Sequence, residues 1–168
     1  KAQKALEAGN CPLEAVEELK PVMDVIDKVF PETKFEDNHS NGEIGFGSTI
    51  FAVKPGDGSA REQAASCQKV LGGWANIANE YATKRYRSNL INWGMLPFII
   101  PEGGLPFKNL DYLYIPNIRK AVEDKQSEIT AYVIKDGKAE EFKLGLGAMT
   151  DDEREIILKG CLINYYRG

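Results

Sequence analysis

Cysteine is scarce in this 168-residue chain, and the three cysteines that are present lie far apart. Cys11, Cys67 and Cys161 form neither an even-numbered disulfide framework nor a Cys-x-x-Cys metal knuckle. Unpaired thiols are typical of proteins that stay in a reducing compartment. The sequence therefore predicts reduced cysteines and a cytoplasmic location.

Histidine is scarcer still, because His39 is the only one in the chain. A single histidine excludes a zinc site built from two or more imidazoles, and no local cluster of cysteine and histidine replaces it. His39 lies in a polar stretch, which favours a solvated side chain over a catalytic one. We therefore expect no metal site in this chain.

Long apolar runs and a strong excess of charge are also absent. No apolar run approaches the ~20 residues of a membrane-spanning helix. The chain has 21 basic and 25 acidic residues, so its formal net charge is −4. Such a chain lacks the electrostatic footprint of a general nucleic-acid binder and the basic patch of a membrane-surface protein. We expect neither a nucleic acid nor a membrane as its partner.

Length and composition are those of an ordinary globular protein. Helical and strand patterns alternate, which predicts an α/β class. We expect a single domain over residues 1–168, with a helical lead-in over 1–43 and a core over 44–168. Because the chain opens with Lys1 inside a helical pattern, we also expect it to be part of a longer protein.

Hydrophobic spacing and turn residues locate the individual elements. The apolar run that ends at Val53 is typical of a strand buried on both faces. An Asp-Gly pair at 136–137 predicts a hairpin. The predicted helices cover residues 1–30, 59–71, 82–93 and 150–166, and the predicted strands cover 44–53, 74–78, 129–134 and 140–144, with an apolar run over 95–100.

The turn over residues 56–62, Gly-Asp-Gly-Ser-Ala-Arg-Glu, joins a predicted strand to a predicted helix. Ser59 and Glu62 have the spacing of a capping box. Gly56 and Gly58 permit backbone conformations that other residues avoid and let a ligand approach closely. A helix N-terminus attracts anions, and an arginine such as Arg61 grips a carboxylate with two hydrogen bonds. The turn is therefore a candidate cradle for a carboxylate or phosphate.

Two other interpretations of this turn remain. Ser-x-x-Glu after a glycine-rich turn also starts many helices that only need a cap. A dinucleotide loop is disfavoured, because Arg61 stands where the third glycine would be and no clear acidic partner follows.

Outside the turn, the patterns favour structural roles. Thr150 and Glu153 have the spacing of a second capping box. The basic stretch 84–87, Lys-Arg-Tyr-Arg, is compatible with nucleic-acid binding but is more typical of a solvated helix face. Trp74 and Trp93 are interpreted as core or domain-interface residues.

Three motifs in this order resemble the C-terminal swivel domain of the aconitase family. They are Gly58-Ser59-x-Arg61-Glu62 with Ala64-Ala65, then Leu71-Gly72-Gly73, then Asn89-Leu90-x-x-x-Gly94-x-Leu96-Pro97. The tail over 160–164 is similar too, so the resemblance spans residues 44–168. The longer strings over 60–65 and 86–94 are most similar to a bacterial, aconitase-like hydratase branch.

The resemblance implies a three-layer β/β/α swivelling domain, the type of aconitase domain 4 and of the isopropylmalate isomerase small subunit. It implies a hydro-lyase that dehydrates and rehydrates a hydroxy di- or tricarboxylic acid. Ser59 would be the catalytic base, Arg61 would bind a substrate carboxylate, and the backbones of Gly58 and Ala60 would also contact substrate. A [4Fe-4S] cluster would be held by the remaining aconitase-like domains of the protein, with none in this chain.

Two departures from the family pattern matter for activity. Ala60 stands where the family has a second serine, and Gln63 stands where it has histidine. These two departures leave open the alternative that the chain is a non-catalytic binding or regulatory module that retains the fold. A stand-alone small subunit of an isopropylmalate-isomerase-like enzyme is a further alternative.

Overall fold

The computed structural model describes residues 17–35 and 42–167. Contacts divide the chain into two compact units. The first combines the described part of Lys1–Phe46 with Leu105–Pro116 and Thr130–Phe142. The second combines Gly47–Gly104, Asn117–Ile129 and the described part of Lys143–Gly168.

Helices and strands alternate along most of the described chain, so the predicted α/β class is confirmed. The helices are α1 (Lys20–Val29), α2 (Arg61–Val70), α3 (Lys84–Asn92), α4 (Ile118–Glu123), α5 (Asp151–Leu158) and α6 (Leu162–Arg167). The strands are β1 (Ser48–Ala52), β2 (Gly73–Ala78), β3 (Leu96–Ile99), β4 (Tyr112–Tyr114), β5 (Glu128–Lys135) and β6 (Lys138–Gly145).

The strands form one mixed sheet in the order β1-β2-β3-β6-β5-β4. Strands β1, β2 and β3 are parallel, with α2 and α3 as the connections between them. Strand β6 runs antiparallel to β3, and β4 runs antiparallel to β5. Parallel strands joined by helices bring their carboxyl ends, and the loops that follow them, to one edge of the sheet.

Several predicted elements are confirmed, because their signals are local. Of the helix predicted over 1–30, the described part is helical only from Lys20, with Pro21 in its first turn, where the missing N–H costs nothing. Asp136 and Gly137 both have positive φ, as the tight turn between β5 and β6 requires. Thr150 and Glu153 form the predicted capping box, with hydrogen bonds of 3.2 and 2.9 Å. The part of the first predicted helix over residues 1–16 lies outside the described residues.

Strand β1 is not the doubly buried strand that its apolar run predicts. It lies at the edge of the sheet, and Ile50 and the following Val53 are 45% and 60% exposed. Apolar composition alone does not tell an edge strand from a central one, since the neighbours come from elsewhere in the chain. Trp74 on the adjacent strand is likewise exposed rather than part of the core.

The final helix is also not continuous. Gly160 has a φ of +90°, which ends α5 and separates it from α6. The carbonyl of this glycine lies against Gly94, at the C-terminus of α3.

Each unit has its own buried cluster. In the first unit, Leu19 and the apolar face of α1 pack with Phe35 and Ile134. In the second unit, Ala65 of α2 packs with Tyr86 and Leu90 of α3 and with Met95. The second cluster holds the first turns of α2 and α3 side by side, and these turns carry the candidate site.

Candidate active site

Two loops that follow neighbouring parallel strands meet at the same edge of the sheet. The loop after β1 leads into α2, and the loop after β2 leads into α3. The amide of Ala82 donates to the carbonyl of Pro55 at 2.9 Å, and the amides of Asn79 and Glu80 donate to the carbonyl of Val53. The sheet topology therefore brings the predicted turn at 56–62 beside the start of α3.

Gly56 gives the first loop its shape. Its φ is +98°, and a Cβ at this position would lie 2.4 Å from Cβ of Tyr86. Its carbonyl accepts hydrogen bonds from Oγ1 of Thr83 and Nε of Arg61, both at 3.0 Å. The loop is thus held from the α3 side and from the first residue of α2.

Gly58 differs from Gly56, and the special backbone conformation expected for it is not found. Its φ lies outside the left-handed region. A Cβ added to it would meet no atom of the described residues within 4 Å. Glycine at position 58 therefore leaves open space beside the loop, and it is not required there for its backbone conformation.

The capping box predicted for Ser59 and Glu62 is wrong. Helix α2 begins at Arg61, and its N-cap is Ala60, whose methyl group cannot accept a hydrogen bond. The amide oxygen of Asn89 accepts from the Glu62 N–H at 3.0 Å when its side chain is oriented so that its NH₂ group donates to the Arg85 carbonyl. The Glu62 carboxylate accepts from Nε1 of Trp93 at 2.9 Å. Asn89 of α3 therefore caps α2, and Trp93, which directly follows α3, holds the Glu62 side chain.

Because Asn89 acts as the cap, the Ser59 hydroxyl is not used in the fold. Ser59 is exposed, and its hydroxyl has no hydrogen-bond partner among the described residues. The backbone amides of Ser59 and Ala60 also donate to no acceptor within the described part of the chain. A hydroxyl and two free amides thus stand at the positive end of a ten-residue helix.

The Arg61 side chain contacts the loop before α2 and also borders the pocket beside Ser59. Besides the bond from Nε to Gly56, one terminal nitrogen approaches the carbonyl of Asp57 at 3.5 Å. A guanidinium has five N–H donors, so its outer edge keeps donors for a ligand. The loop contacts orient that edge before any ligand arrives.

A pocket of about 380 Å³ opens beside Ser59 and Arg61. It is lined by Ser59, Arg61, Glu62, Lys84, Arg85, Ser88 and Asn89. Three cations and one carboxylate give its wall a formal charge of +2. Neither Lys84 nor Arg85 forms an ion pair within residues 17–35 and 42–167, whereas Lys54 pairs with Glu80 and Lys125 pairs with Asp151. The pocket is suited to a small polyanion.

Sequence reasoning did not assign the basic stretch over 84–87 to the site. The structure divides it: Lys84 and Arg85 line the pocket, and Tyr86 is buried. Arg87 donates to the Ala148 carbonyl at 2.7 Å and pairs with Glu153 at 3.4 Å. The signal that could have located the site was a pair of cations opening the helix after the second parallel strand.

A second pocket, of about 430 Å³, borders the same turn and is largely apolar. Its wall is formed by Pro55, Gly56, Gly58, Ser59, Ala60, Arg61, Ala64 and Tyr86. Ser59 and Arg61 belong to both pockets. They therefore stand between a cationic compartment and an apolar one.

The buried Tyr86 and the half-buried Tyr81 support the floor of the site. The Tyr86 hydroxyl accepts from the side-chain amides of Asn76 and Gln68 at 2.9 and 3.0 Å. The Tyr81 hydroxyl donates to the Phe98 carbonyl at 3.0 Å, and burial raises the pKa of Tyr81 far above its usual range. Tyr81 thus stays neutral, and these bonds tie the start of α3 to the sheet.

Gly56→Ala is expected to destabilise the protein by about 3 kcal/mol. An alanine in the left-handed region costs about 1–2 kcal/mol, and the overlap with Tyr86 costs roughly as much again. Gly58→Ala is the matched control, because its new Cβ points into open space; its effect should stay within about 0.5 kcal/mol. Urea unfolding of both variants measures the difference. Equal free energies of unfolding for the two variants would contradict the close contact between Gly56 and Tyr86.

The other sequence candidates contribute nothing to this site. His39 and Cys11 lie outside the described residues. Cys67 is exposed and Cys161 is half-buried, and both are free thiols. Within the described ranges, no group of three or more His, Cys, Asp or Glu side chains could hold a metal ion. No helix in these ranges combines the length and apolar character needed to cross a membrane.

Comparison with known proteins adds an independent line of information. A family model described as the aconitase C-terminal domain matches residues 21–103, a segment that contains both loops of the site. The solved structure of 3-isopropylmalate dehydratase (leuD) from Methanocaldococcus jannaschii aligns with a TM-score of 0.53 and 29% identity. The alignment covers 80% of this chain and 71% of that chain. No curated protein sequence matches significantly.

These matches agree with the three motifs read from the sequence and with the α/β fold. The family match includes Ser59, Arg61, Asn89 and Gly94, the residues that shape or line the site. Residues 21–103 are therefore similar to the aconitase C-terminal domain, and the α/β fold of the chain is similar to that of 3-isopropylmalate dehydratase.

Proposed function

We propose that this chain provides the catalytic serine and a carboxylate-binding arginine to an aconitase-like hydro-lyase. The reaction is the reversible dehydration of a hydroxy di- or tricarboxylic acid. The observation that carries the proposal is the placement of the unpaired Ser59 hydroxyl and the oriented Arg61 guanidinium on one cationic pocket.

Ser59 is proposed as the base that removes a proton from the carbon next to a substrate carboxylate. A neutral serine hydroxyl is too weak a base for this step, so Ser59 would act as its alkoxide after losing its own proton to solvent, and the negative charge of that alkoxide needs stabilisation until it accepts the substrate proton. The free amides of Ser59 and Ala60 and the positive end of α2 lie at the same turn and are proposed to stabilise this charge. Lys84 and Arg85 line the same pocket and add positive potential.

Arg61 is proposed to hold the carboxylate beside the carbon that loses its proton. Two parallel hydrogen bonds from a guanidinium fix both the position and the plane of a carboxylate. As the proton leaves, charge spreads onto this carboxylate, and a fixed cation stabilises it. The backbones of Gly58 and Ala60 border the same turn and are proposed as further substrate contacts.

The family resemblance implies a [4Fe-4S] cluster, which acts in such chemistry as a Lewis acid toward the leaving hydroxyl. The described residues of this chain do not fit a cluster site, because they contain no group of three metal-ligating side chains. We therefore place the cluster on the remaining aconitase-like domains or on a separate subunit. For the protein itself we propose a cytoplasmic location, because Cys67 and Cys161 are free thiols.

A separate small subunit is the second candidate for this chain, and the comparison with 3-isopropylmalate dehydratase favours it. That match covers 80% of this chain and 71% of the chain in the solved structure. In this arrangement, Ser59 and Arg61 keep the same roles, and the partner is a second polypeptide. Isolation of the native protein, followed by mass analysis of its chains, distinguishes one polypeptide from two.

The proposed function is tested with the complete protein, purified without oxygen and reconstituted with iron and sulfide. Hydroxy di- and tricarboxylic acids are screened for the ultraviolet absorbance of a new conjugated double bond. We expect turnover of at least one acid. A reconstituted protein that turns over none of them would identify the domain as a non-catalytic binding module, the alternative suggested by Ala60 and Gln63.

Arg61→Lys is expected to raise KM for the acid substrate by roughly tenfold or more, because loss of a hydrogen bond between charged groups costs about 1.5–3 kcal/mol. An ammonium group cannot reproduce a two-point grip on a carboxylate. The control is Arg119→Lys, since Arg119 lies on α4 and lines neither pocket. Steady-state kinetics measures both variants, and an unchanged KM for Arg61→Lys rejects its role.

A further inference from the structure

Ser59 lies in an exposed stretch of backbone that is held only at its two ends. Residues 57–60 are exposed, and their amides donate to no acceptor within the described part of the chain. The position of Ser59 therefore depends on the attachments before and after this stretch. Asn89 of α3 makes the attachment that follows it, by accepting from the Glu62 N–H.

Thr83 makes the attachment that precedes this stretch. Its Oγ1 donates to the Gly56 carbonyl at 3.0 Å and accepts from the Tyr86 N–H at 3.2 Å. The second of these bonds caps α3, because Thr83 is the N-cap of that helix. A hydroxyl can donate one hydrogen bond while it accepts another, so a single group joins the start of α3 to the turn that carries Ser59.

We propose that Thr83 is a positioning residue for Ser59, in addition to being a helix cap. This inference rests on the proposed function, in which Ser59 is the base, and it identifies what keeps that base in place. Arg61 belongs to the same turn, because its Nε donates to the same Gly56 carbonyl at 3.0 Å. Thr83 thereby holds Ser59 and Arg61 together against the wall of the pocket that α3 provides.

Loss of the bond from Thr83 to Gly56 should affect kcat more than KM. Arg61 keeps its own bond to the Gly56 carbonyl, so the group that binds the carboxylate stays with its turn. The turn as a whole loses its anchor on α3, and Ser59 moves relative to the α3 side of the pocket. A misplacement of about 1 Å can lower a rate on the order of 10²-fold.

Three substitutions of Thr83 separate its two bonds in the complete, reconstituted protein. Thr83→Ser keeps both bonds, and Thr83→Val removes both. Thr83→Asp keeps the cap, because aspartate is a good N-cap, but its carboxylate has no proton to donate to the Gly56 carbonyl at neutral pH. Thr150→Val is the matched control, since Thr150 caps α5 by accepting from the Glu153 N–H at 3.2 Å and lines neither pocket.

We expect Thr83→Val and Thr83→Asp to lower kcat by about tenfold or more and to change KM by less than about threefold. Thr83→Ser and Thr150→Val should keep the turnover of the unmodified enzyme. The urea midpoint should fall by roughly 0.5 M in Thr150→Val and by at least as much in Thr83→Val. Thr83→Asp should be more stable than Thr83→Val, because it keeps the cap, so the loss of kcat does not follow the loss of stability.

A second measurement reports the bond to Gly56 without turnover. Labelling glycine with ¹³C at the carbonyl and aspartate with ¹⁵N selects the peptide bond between Gly56 and Asp57, the only Gly-Asp pair in these 168 residues. The ¹³C signal of the Gly56 carbonyl should shift in Thr83→Val and Thr83→Asp, because each variant removes a hydrogen bond to this oxygen. It should stay in place in Thr83→Ser and Thr150→Val.

Unchanged kcat in Thr83→Val, or an unshifted Gly56 carbonyl signal in that variant, would overturn the inference. So would full turnover by Thr83→Asp, because loss of the cap would then account for the effect of Thr83→Val. Absence of turnover by the unmodified enzyme would reject the proposed function, and the carbonyl signal would still decide whether Thr83 holds the turn.

Discussion

Ser59→Ala is expected to lower kcat by about 10³-fold to 10⁴-fold, the range lost when a positioned base is removed. The free energy of unfolding should change by less than about 0.5 kcal/mol, because the hydroxyl is exposed and has no partner among the described residues. Stability and activity are thus separated at this position. A helix cap would behave differently, since its loss costs about 1 kcal/mol of stability.

The matched control is Ser66→Ala on the same helix. Ser66 donates from Oγ to the Gln63 carbonyl at 3.2 Å and lines neither pocket. Its variant should keep the turnover of the unmodified enzyme. The comparison uses the reconstituted complete protein, with kcat from the absorbance assay and stability from urea unfolding. Full turnover by Ser59→Ala would remove Ser59 from the mechanism.

Gly94→Ala is expected to destabilise the protein by about 3–5 kcal/mol, the largest effect of any substitution considered. Gly94 has a φ of +68°, and a Cβ here would lie 1.7 Å from the carbonyl oxygen of Gly160. Backbone meets backbone at this point, so no side chain can rotate away. The left-handed conformation costs about 1–2 kcal/mol, and the forced separation of α3 from the end of α5 costs about 1–3 kcal/mol or more.

Gly104→Ala is the control for this substitution. Gly104 does not have a left-handed backbone, and a Cβ there would meet no described atom within 4 Å. Its free energy of unfolding should stay within about 0.5 kcal/mol of the unmodified protein. Chemical denaturation of both variants gives the comparison. A Gly94→Ala protein as stable as Gly104→Ala would contradict the close approach of the two chain segments.

The glycine and asparagine of the third family motif acquire a physical explanation from these contacts. Asn89 caps the helix that begins just after Ser59, and Gly94 ends α3 where Gly160 lies against it. Both residues act on the site through the backbone they hold in place. The residues of this motif therefore fix the position of α3 beside α2, and not every one of them needs to contact a substrate.

Local signals were enough to predict much of this protein from its sequence. The turn between β5 and β6 depends on two adjacent residues, Asp136 and Gly137, and the capping box of α5 depends on residues three apart. The pairing of Ser59 with Arg61 on one strand-to-helix turn is equally local. Short-range geometry of this kind depends on backbone sterics and hydrogen bonds within a few residues.

Only the tertiary structure decided which partner each group of the site has. The cap of α2 comes from Asn89, the indole that binds Glu62 comes from Trp93, and the cations of the pocket come from Lys84 and Arg85. Asn89, Lys84 and Arg85 lie on α3 and Trp93 directly follows it, and the parallel order of β1, β2 and β3 places this helix beside α2. Chain segments that are distant in sequence meet because the sheet must bury its apolar surface, and no local pattern specifies that register.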